Sequence, residues 1–161
     1  MDSADEIAIE LVSAATDDVR ALIGELDRIL AAEYTPEQRH GLSLDAIFQP
    51  GVRFFLARSN GAAVGCGGVA LFADFAEVKR MYVREAARGR GVAEALLARI
   101  EREAREAGLF WLRLETGTRQ TAALTFYRRA GFQPCAAFGA YATMAAPAIA
   151  TSVFLEKPLR E

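Results

Sequence analysis

Apolar and polar positions alternate from Ile7 to Leu11, which predicts a first strand. From Val19 the spacing changes: Val19, Ile23, Leu26 and Leu30 recur at helical intervals, and Leu22 and Ile29 widen the stripe. Thr16-Asp17-Asp18 sets a capping hydroxyl and two acids at the positive end of this helix, which runs to about Ala32. Thr35-Pro36-Glu37 predicts a short helix broken at Gly41, and Leu44 to Phe48 a further turn. Val52 to Arg58 reads as a strand. Asn60-Gly61 predicts a hairpin, because both central positions tolerate positive φ, and Ala62 to Phe72 returns as the next strand. Gly65, Gly67 and Gly68 within it imply bends or a close backbone approach. Asp74 marks a turn before a strand from Glu77 to Val83. This succession predicts an antiparallel meander.

Helical spacing resumes at Gly91 and lasts to Ala107, with Val92, Leu96 and Ile100 on one face and Ala93 and Leu97 beside them. Gly108 closes the helix, and Leu109 to Leu114 is a strand. Strand, helix, strand in this order is a crossover, so the strands at Glu77–Val83 and Leu109–Leu114 should be parallel. Thr118 or Thr121 caps the next helix, which carries Ala123, Leu124, Phe126 and Tyr127 and stops at Gly131. The stretch from Ala130 to Leu155 has no charged residue. Its length would span a bilayer, but Ala, Gly, Thr and two prolines dominate it, so it reads as a loop followed by a strand at Thr151–Leu155.

The 161 residues predict one domain, 1–161, with its own core. At 52% hydrophobic and 25% charged the chain is globular rather than disordered. A formal net charge of −2 argues against nucleic-acid binding, and neither a membrane span nor an export signal is visible, so a cytoplasmic location is expected. Cys66 and Cys135 fit neither a metal spacing nor a disulfide framework, and no metal is expected. His40 is the one histidine, and no GxSxG accompanies it.

Chemistry concentrates between the Glu77–Val83 strand and the helix that follows, at Arg88-Gly89-Arg90-Gly91-Val92-Ala93. The first N–H groups of a helix lack intrahelical partners, and the macrodipole adds partial positive charge. Gly89 and Gly91 allow a phosphate to approach the backbone, and Arg84, Arg88 and Arg90 add positive charge. A glycine turn alone is also compatible with a plain strand-to-helix connection. Neither GxxxxGK[ST] nor GxGxxG is present. Arg88, Gly91 and Ala93 instead fill the pattern [Q/R]xxGx[G/A], which resembles the acetyl-CoA loop of the GCN5-related N-acetyltransferases (GNAT superfamily). A second stretch, QTAALTFYRRAGF at Gln120–Phe132, is similar to that family's NxxAxxxYxxxGF, with Ala123, Tyr127, Gly131 and Phe132 in register and Gln120 where asparagine is usual.

The resemblance implies an α/β (α+β) fold with a mixed, mostly antiparallel sheet, a central parallel βαβ unit and splayed strands. It implies acetyl-CoA as cosubstrate, its pyrophosphate on the backbone of Arg88, Gly89, Arg90, Gly91, Val92 and Ala93, and its pantetheine along Met81, Tyr82 and Val83. The Met81 N–H would polarise the thioester carbonyl, and Gln120 and Tyr127 would complete the cofactor contacts. Glu77 is the candidate base and Tyr127 the candidate acid; as structural residues they would be a strand-edge charge and a packing group. Tyr34, Glu37, His40 and Tyr141 are candidate acceptor contacts, with surface or packing roles as the plainer reading of each. Tyr34, Tyr141 and Met144 would suit an acceptor with an apolar body, its ammonium facing Glu33, Glu37 and Glu77. The expected function is acetyl transfer to a primary amine of a small molecule, in a homodimer. Acetylation of protein lysines or N-termini, and a non-catalytic acetyl-CoA-binding module, are the alternatives.

Overall fold

The computed structural model describes residues 6–159. β1 (Ile7–Val12), β2 (Val52–Ser59), β3 (Ala62–Leu71) and β4 (Ala76–Val83) form the antiparallel meander expected from the alternation. α1 (Asp17–Glu33) follows β1, and the Thr16 hydroxyl accepts from the Val19 N–H at 3.4 Å, as its capping position predicts. Short 3-10 turns occupy Pro36–Gln38 and Ala46–Phe48. At the hairpin, Asn60 and Gly61 take φ of 52° and 87°, the left-handed pair such a turn requires.

α2 (Val92–Glu106) crosses to β5 (Trp111–Gly117), which lies parallel to β4. α3 (Thr121–Arg129), β6 (Gln133–Pro134), α4 (Ala146–Ile149) and β7 (Ser152–Pro158) complete the chain, and the sheet order is β1-β2-β3-β4-β5-β7-β6. Alternation on β2 divides the core. Phe55 and Ala57 join Val92, Leu96 and Ile100 of α2, whereas Phe54 and Leu56 join Val19 and Leu22 of α1. Burying each such large apolar side chain contributes about 1.5–3 kcal/mol before entropy is counted.

Four details depart from the sequence reading. β5 starts at Trp111, not Leu109, because Leu109 N–H still bonds Ala104 O at 3.1 Å and Gly108 N–H bonds Arg105 O at 2.9 Å, closing α2 in a Schellman turn. No threonine caps α3: Gln120 is the capping residue, without a side-chain bond to the helix, and Thr121 is already helical. The charge-free stretch is not a plain loop, since it holds β6, a 3-10 turn at Gly139–Thr143 and α4. β7 runs on to Pro158 because its pairing with β5 extends to Trp111, and Lys157 meets Glu101 at 3.0 Å. Among the described residues no helix is long and apolar enough to cross a membrane.

Candidate active site

The parallel ladder joins Ala76 to Leu112 and Glu77 to Arg113, and beyond it β4 and β5 part. Val78–Val83 and Leu114–Gly117 then line a cavity of about 690 Å³. A bulge shapes its β4 wall. Register shifts between Cys66 and Gly68, and Arg80 takes a φ of 55°. Gly65 accommodates the approach, since a Cβ there would lie 2.9 Å from Tyr82 O.

At one end the cavity meets the start of α2, where Arg88, Gly89, Val92 and Ala93 form the wall. Gly91 caps α2 at φ 86°, and its carbonyl accepts from Ala95 N–H at 3.0 Å. The N–H groups ahead of Ala95 have no intrahelical acceptor, so this end suits an anion. Two of the arginines expected here behave differently. Arg84 is committed to Glu25, with Nη2 2.8 Å from Oε2, and this guanidinium holds the Glu25 carboxyl below its ordinary range. Arg90 and Gly91 are not among the residues that line the cavity, although their neighbours Gly89 and Val92 are.

Midway, Tyr34 Oη donates to Gln120 Oε1 at 2.5 Å and accepts from Arg119 N–H at 2.9 Å. This clasp needs Gly117, where a Cβ would stand 2.0 Å from the hydroxyl. The pattern asparagine's replacement therefore has its carbonyl oxygen engaged by Tyr34, whose hydroxyl proton is committed to it. Burial pushes its phenol up. Tyr127, on α3, stands edge-on to Phe126 and Phe132 at 5.3 and 5.4 Å between ring centroids. It lines the cavity, and desolvation alone raises its phenol above the ordinary value, so it stays protonated.

The far end is polar. Glu77, 3% exposed, accepts at Oε2 from Tyr141 Oη at 2.7 Å and meets Lys79 Nζ at 2.8 Å. Lys79 also donates to Tyr141 Oη at 3.0 Å. Burial, then the Glu77 charge, raises the Tyr141 phenol. Across the gap, Glu115 of β5 accepts from Ser152 Oγ at 2.6 Å, and burial raises its carboxyl above the usual range. His40 lies beside this cluster, with Nε2 2.7 Å from Ala148 O and its ring edge-on to Tyr141.

The cavity thus gathers Tyr34, Glu77, His40, Met81, Tyr82, Val83, Gln120, Tyr127 and Tyr141 with the start of α2. Glu37 is not among them: the Pro36–Gln38 turn faces Gln38 inward and leaves Glu37 exposed. Met144 is also absent from the wall and packs instead near Phe138 and Phe154. Of the three groups expected to carry an apolar acceptor body, Tyr34 and Tyr141 line the cavity, each with its hydroxyl hydrogen-bonded, and Met144 does not. Sequence reasoning missed Glu115, Lys79, Arg39, Arg80 and Arg119. Extending the alternation of Leu112 and Leu114 to Gly117 would have put Glu115 on the strand, facing opposite to the leucines.

Cys66 is fully buried and its thiol is pushed up to about 12, chiefly by desolvation. Burial raises Cys135 too. Neither is poised as a thiolate. We expect Cys66→Ala and Cys135→Ala to keep most turnover, with Cys66→Ala costing about 1 kcal/mol of stability in denaturant titration. Mass-spectrometric trapping of an acetyl-cysteine on the turnover pathway would contradict this.

Comparison with known proteins identifies the class. A family model for the acetyltransferase (GNAT) domain matches residues 50–134, and the chain belongs to the GNAT family of acetyltransferases. It is 43% identical over 155 residues to an IAA acetyltransferase of Azospirillum brasilense, covering 95% of this chain and 98% of the relative. A Klebsiella pneumoniae structure, whose description places it among the acyl-CoA N-acyltransferases, is 34% identical with a TM-score of 0.75, covering 96% of this chain and 98% of its own. The PaiA N-acetyltransferase of Thermoplasma acidophilum, solved with coenzyme A, shares the fold at 18% identity and a TM-score of 0.69, covering 94% of this chain and 99% of its own.

Proposed function

We propose that the protein moves the acetyl group of acetyl-CoA to a primary amine of a small molecule by direct attack. The observation that carries this reading is one cavity that joins the anion-suited start of α2 to the acid-bearing gap between β4 and β5. In this reading the backbone from Arg88 to Ala93 holds the pyrophosphate, and the β4 main chain at Met81, Tyr82 and Val83 takes the pantetheine amides. The Met81 N–H faces the thioester oxygen, where a fixed donor is worth ~3 kcal/mol. Gln120 contributes its amide NH2, and Tyr127 donates to the departing thiolate.

An alkyl ammonium has a pKa of roughly 10, so the amine must lose a proton before attack. Glu77 takes it through Oε1, since Oε2 already holds Lys79 and Tyr141. A second reading gives this step to Glu115, whose raised affinity for a proton makes it the stronger base. A pH profile tests the second reading. The base must be unprotonated, so kcat/KM rises with pH through its pKa, and for Glu115 that limb lies above the ordinary carboxylate range. Replacing the true base by glutamine should lower kcat/KM by ~100-fold or more and abolish the limb. Glu115→Gln with an unchanged profile would return the role to Glu77.

The reading also takes the chain as a cytoplasmic homodimer, with exposed Phe110 and Trp111 as apolar surface available to a second copy. Sedimentation as a monomer at micromolar concentration would refute the dimer. For the activity itself, the test is acetyl-CoA with a panel of small amines beside a panel of lysine and N-terminal peptides, read by product mass. N-acetylated small amines are expected. Acetylated peptides without any small-molecule product would overturn the proposal.

A further inference from the structure

Two guanidinium groups at the acceptor end of the cavity are incompletely satisfied. Arg39 lines the cavity, and among the described residues no carboxylate or carbonyl pairs with its side chain. Its Nε is buried without a hydrogen-bond partner. Arg80 lines the same wall with its side chain 4% exposed. It pairs with Asp27, yet its Nε is also buried without a partner. Leaving a buried donor on a charged group unpaired costs about 1–3 kcal/mol or more, so two of them in one cavity are not incidental packing.

Local structure holds both in place. Gly41 lets the Arg80 guanidinium pass beneath the loop, since a Cβ there would fall 2.0 Å from Nη1. The loop bearing Arg39 is pinned at its neighbour His40, whose ring contacts Ala148 O at 2.7 Å. Asp27, the one acid among the described residues that pairs with these arginines, has its side chain 56% exposed, so its charge is partly met by solvent. Lys79 by contrast is neutralised by Glu77 at 2.8 Å. The cavity lining therefore carries two carboxylates, Glu77 and Glu115, together with two guanidinium groups, Arg39 and Arg80.

We propose that the acceptor is an amino acid: its amine faces Glu77 and Glu115, and its carboxylate is held by Arg39 with support from Arg80. This rests on the acetyl-transfer reading above and names the substrate class of that same site. A carboxylate offers two coplanar oxygens, which match the fork of a guanidinium, and Arg39 lines the cavity with no protein carboxylate paired to it among the described residues. The anion also offsets the charge of Arg39, which has no carboxylate partner among the described residues, whereas an acceptor without one would leave it uncompensated.

The test uses matched pairs: the common α-amino acids, β-alanine, γ-aminobutyrate and 5-aminovalerate, each beside its primary amide, with acetyl-CoA and the full chain. The wild type should acetylate at least one acid with kcat/KM roughly 30-fold above its amide, the scale of a charged hydrogen-bonded contact. Arg39→Gln should erase most of that ratio through KM for the acid, with kcat little changed, and Arg39→Lys should recover part of it. Arg39 sits on a partly exposed loop, so both variants should fold, which circular dichroism checks. Amides used as well as acids, or a ratio unmoved by Arg39→Gln, overturns the carboxylate assignment and leaves acetyl transfer standing. Absence of product from both sets overturns this inference, and the transfer reading then stands or falls with the small-amine panel described above.

Discussion

Replacing Gly91 by aspartate is expected to weaken acetyl-CoA binding by ~100-fold or more in calorimetry, with the fold intact. The loss comes from charge, not bulk. A Cβ at Gly91 would meet Ile7 Cδ1 at 3.9 Å and nothing closer, so there is room. Its φ of 86° is left-handed, a conformation that aspartate tolerates better than most residues at a cost of about 1 kcal/mol. Aspartate is moreover a favoured helix N-cap, so α2 should persist. What changes is a carboxylate added to the turn whose flanking residues Gly89 and Val92 line the cavity, beside the proposed pyrophosphate. Two unit charges about 5 Å apart repel by ~3 kcal/mol at an effective dielectric of ~20. Gly91→Ala supplies the control, keeping the strain without the charge, and should bind nearly as the wild type does. Equal affinity in the aspartate variant would remove the pyrophosphate from this turn.

Tyr127→Phe should lower kcat by ~100-fold while leaving coenzyme A affinity within a few-fold of wild type. The ring's edge-on contacts with Phe126 and Phe132 survive the change. The hydroxyl bonds to no other described residue, so thermal stability should shift little. Because burial raises the phenol, Tyr127 remains a donor at every pH where the enzyme is assayed. The wild-type profile should therefore show no alkaline loss from this group. Wild-type turnover in the Phe variant, with the chemical step shown to limit the rate, would exclude the phenol from the mechanism.

Much of this was legible in the order of residues, for reasons that are local. The helix at Val92–Glu106 announces itself through period, and its two ends through Gly91 and Gly108, because a left-handed backbone there favours glycine. The hairpin at Asn60-Gly61 and the cap at Thr16 are equally short-range. The Arg88–Ala93 turn could be singled out from its glycines and the helix start beside it, whereas Glu77 and Tyr127 were candidates only through the resemblance to the family's motifs.

The rest required the fold. Tyr34 and Gln120 are 86 residues apart, and their bond depends on the room left at Gly117, which neither side chain's own surroundings foretell. Glu77 looked available from its strand position, but Tyr141 reaches it across 64 residues and Lys79 folds back onto the same oxygen. Tyr141 itself read as part of an apolar stretch. Burial beside Glu77 turned it into a hydrogen-bond donor within a charged cluster. Arg39 and Arg80 belong to a loop and a strand that sequence treats independently, and only their meeting at one cavity reveals donors without partners. Spacing along the chain determined which elements form and which turn is the candidate for holding an anion. Desolvation and partner choice, which depend on contacts between distant segments, decided which charges the acceptor end presents.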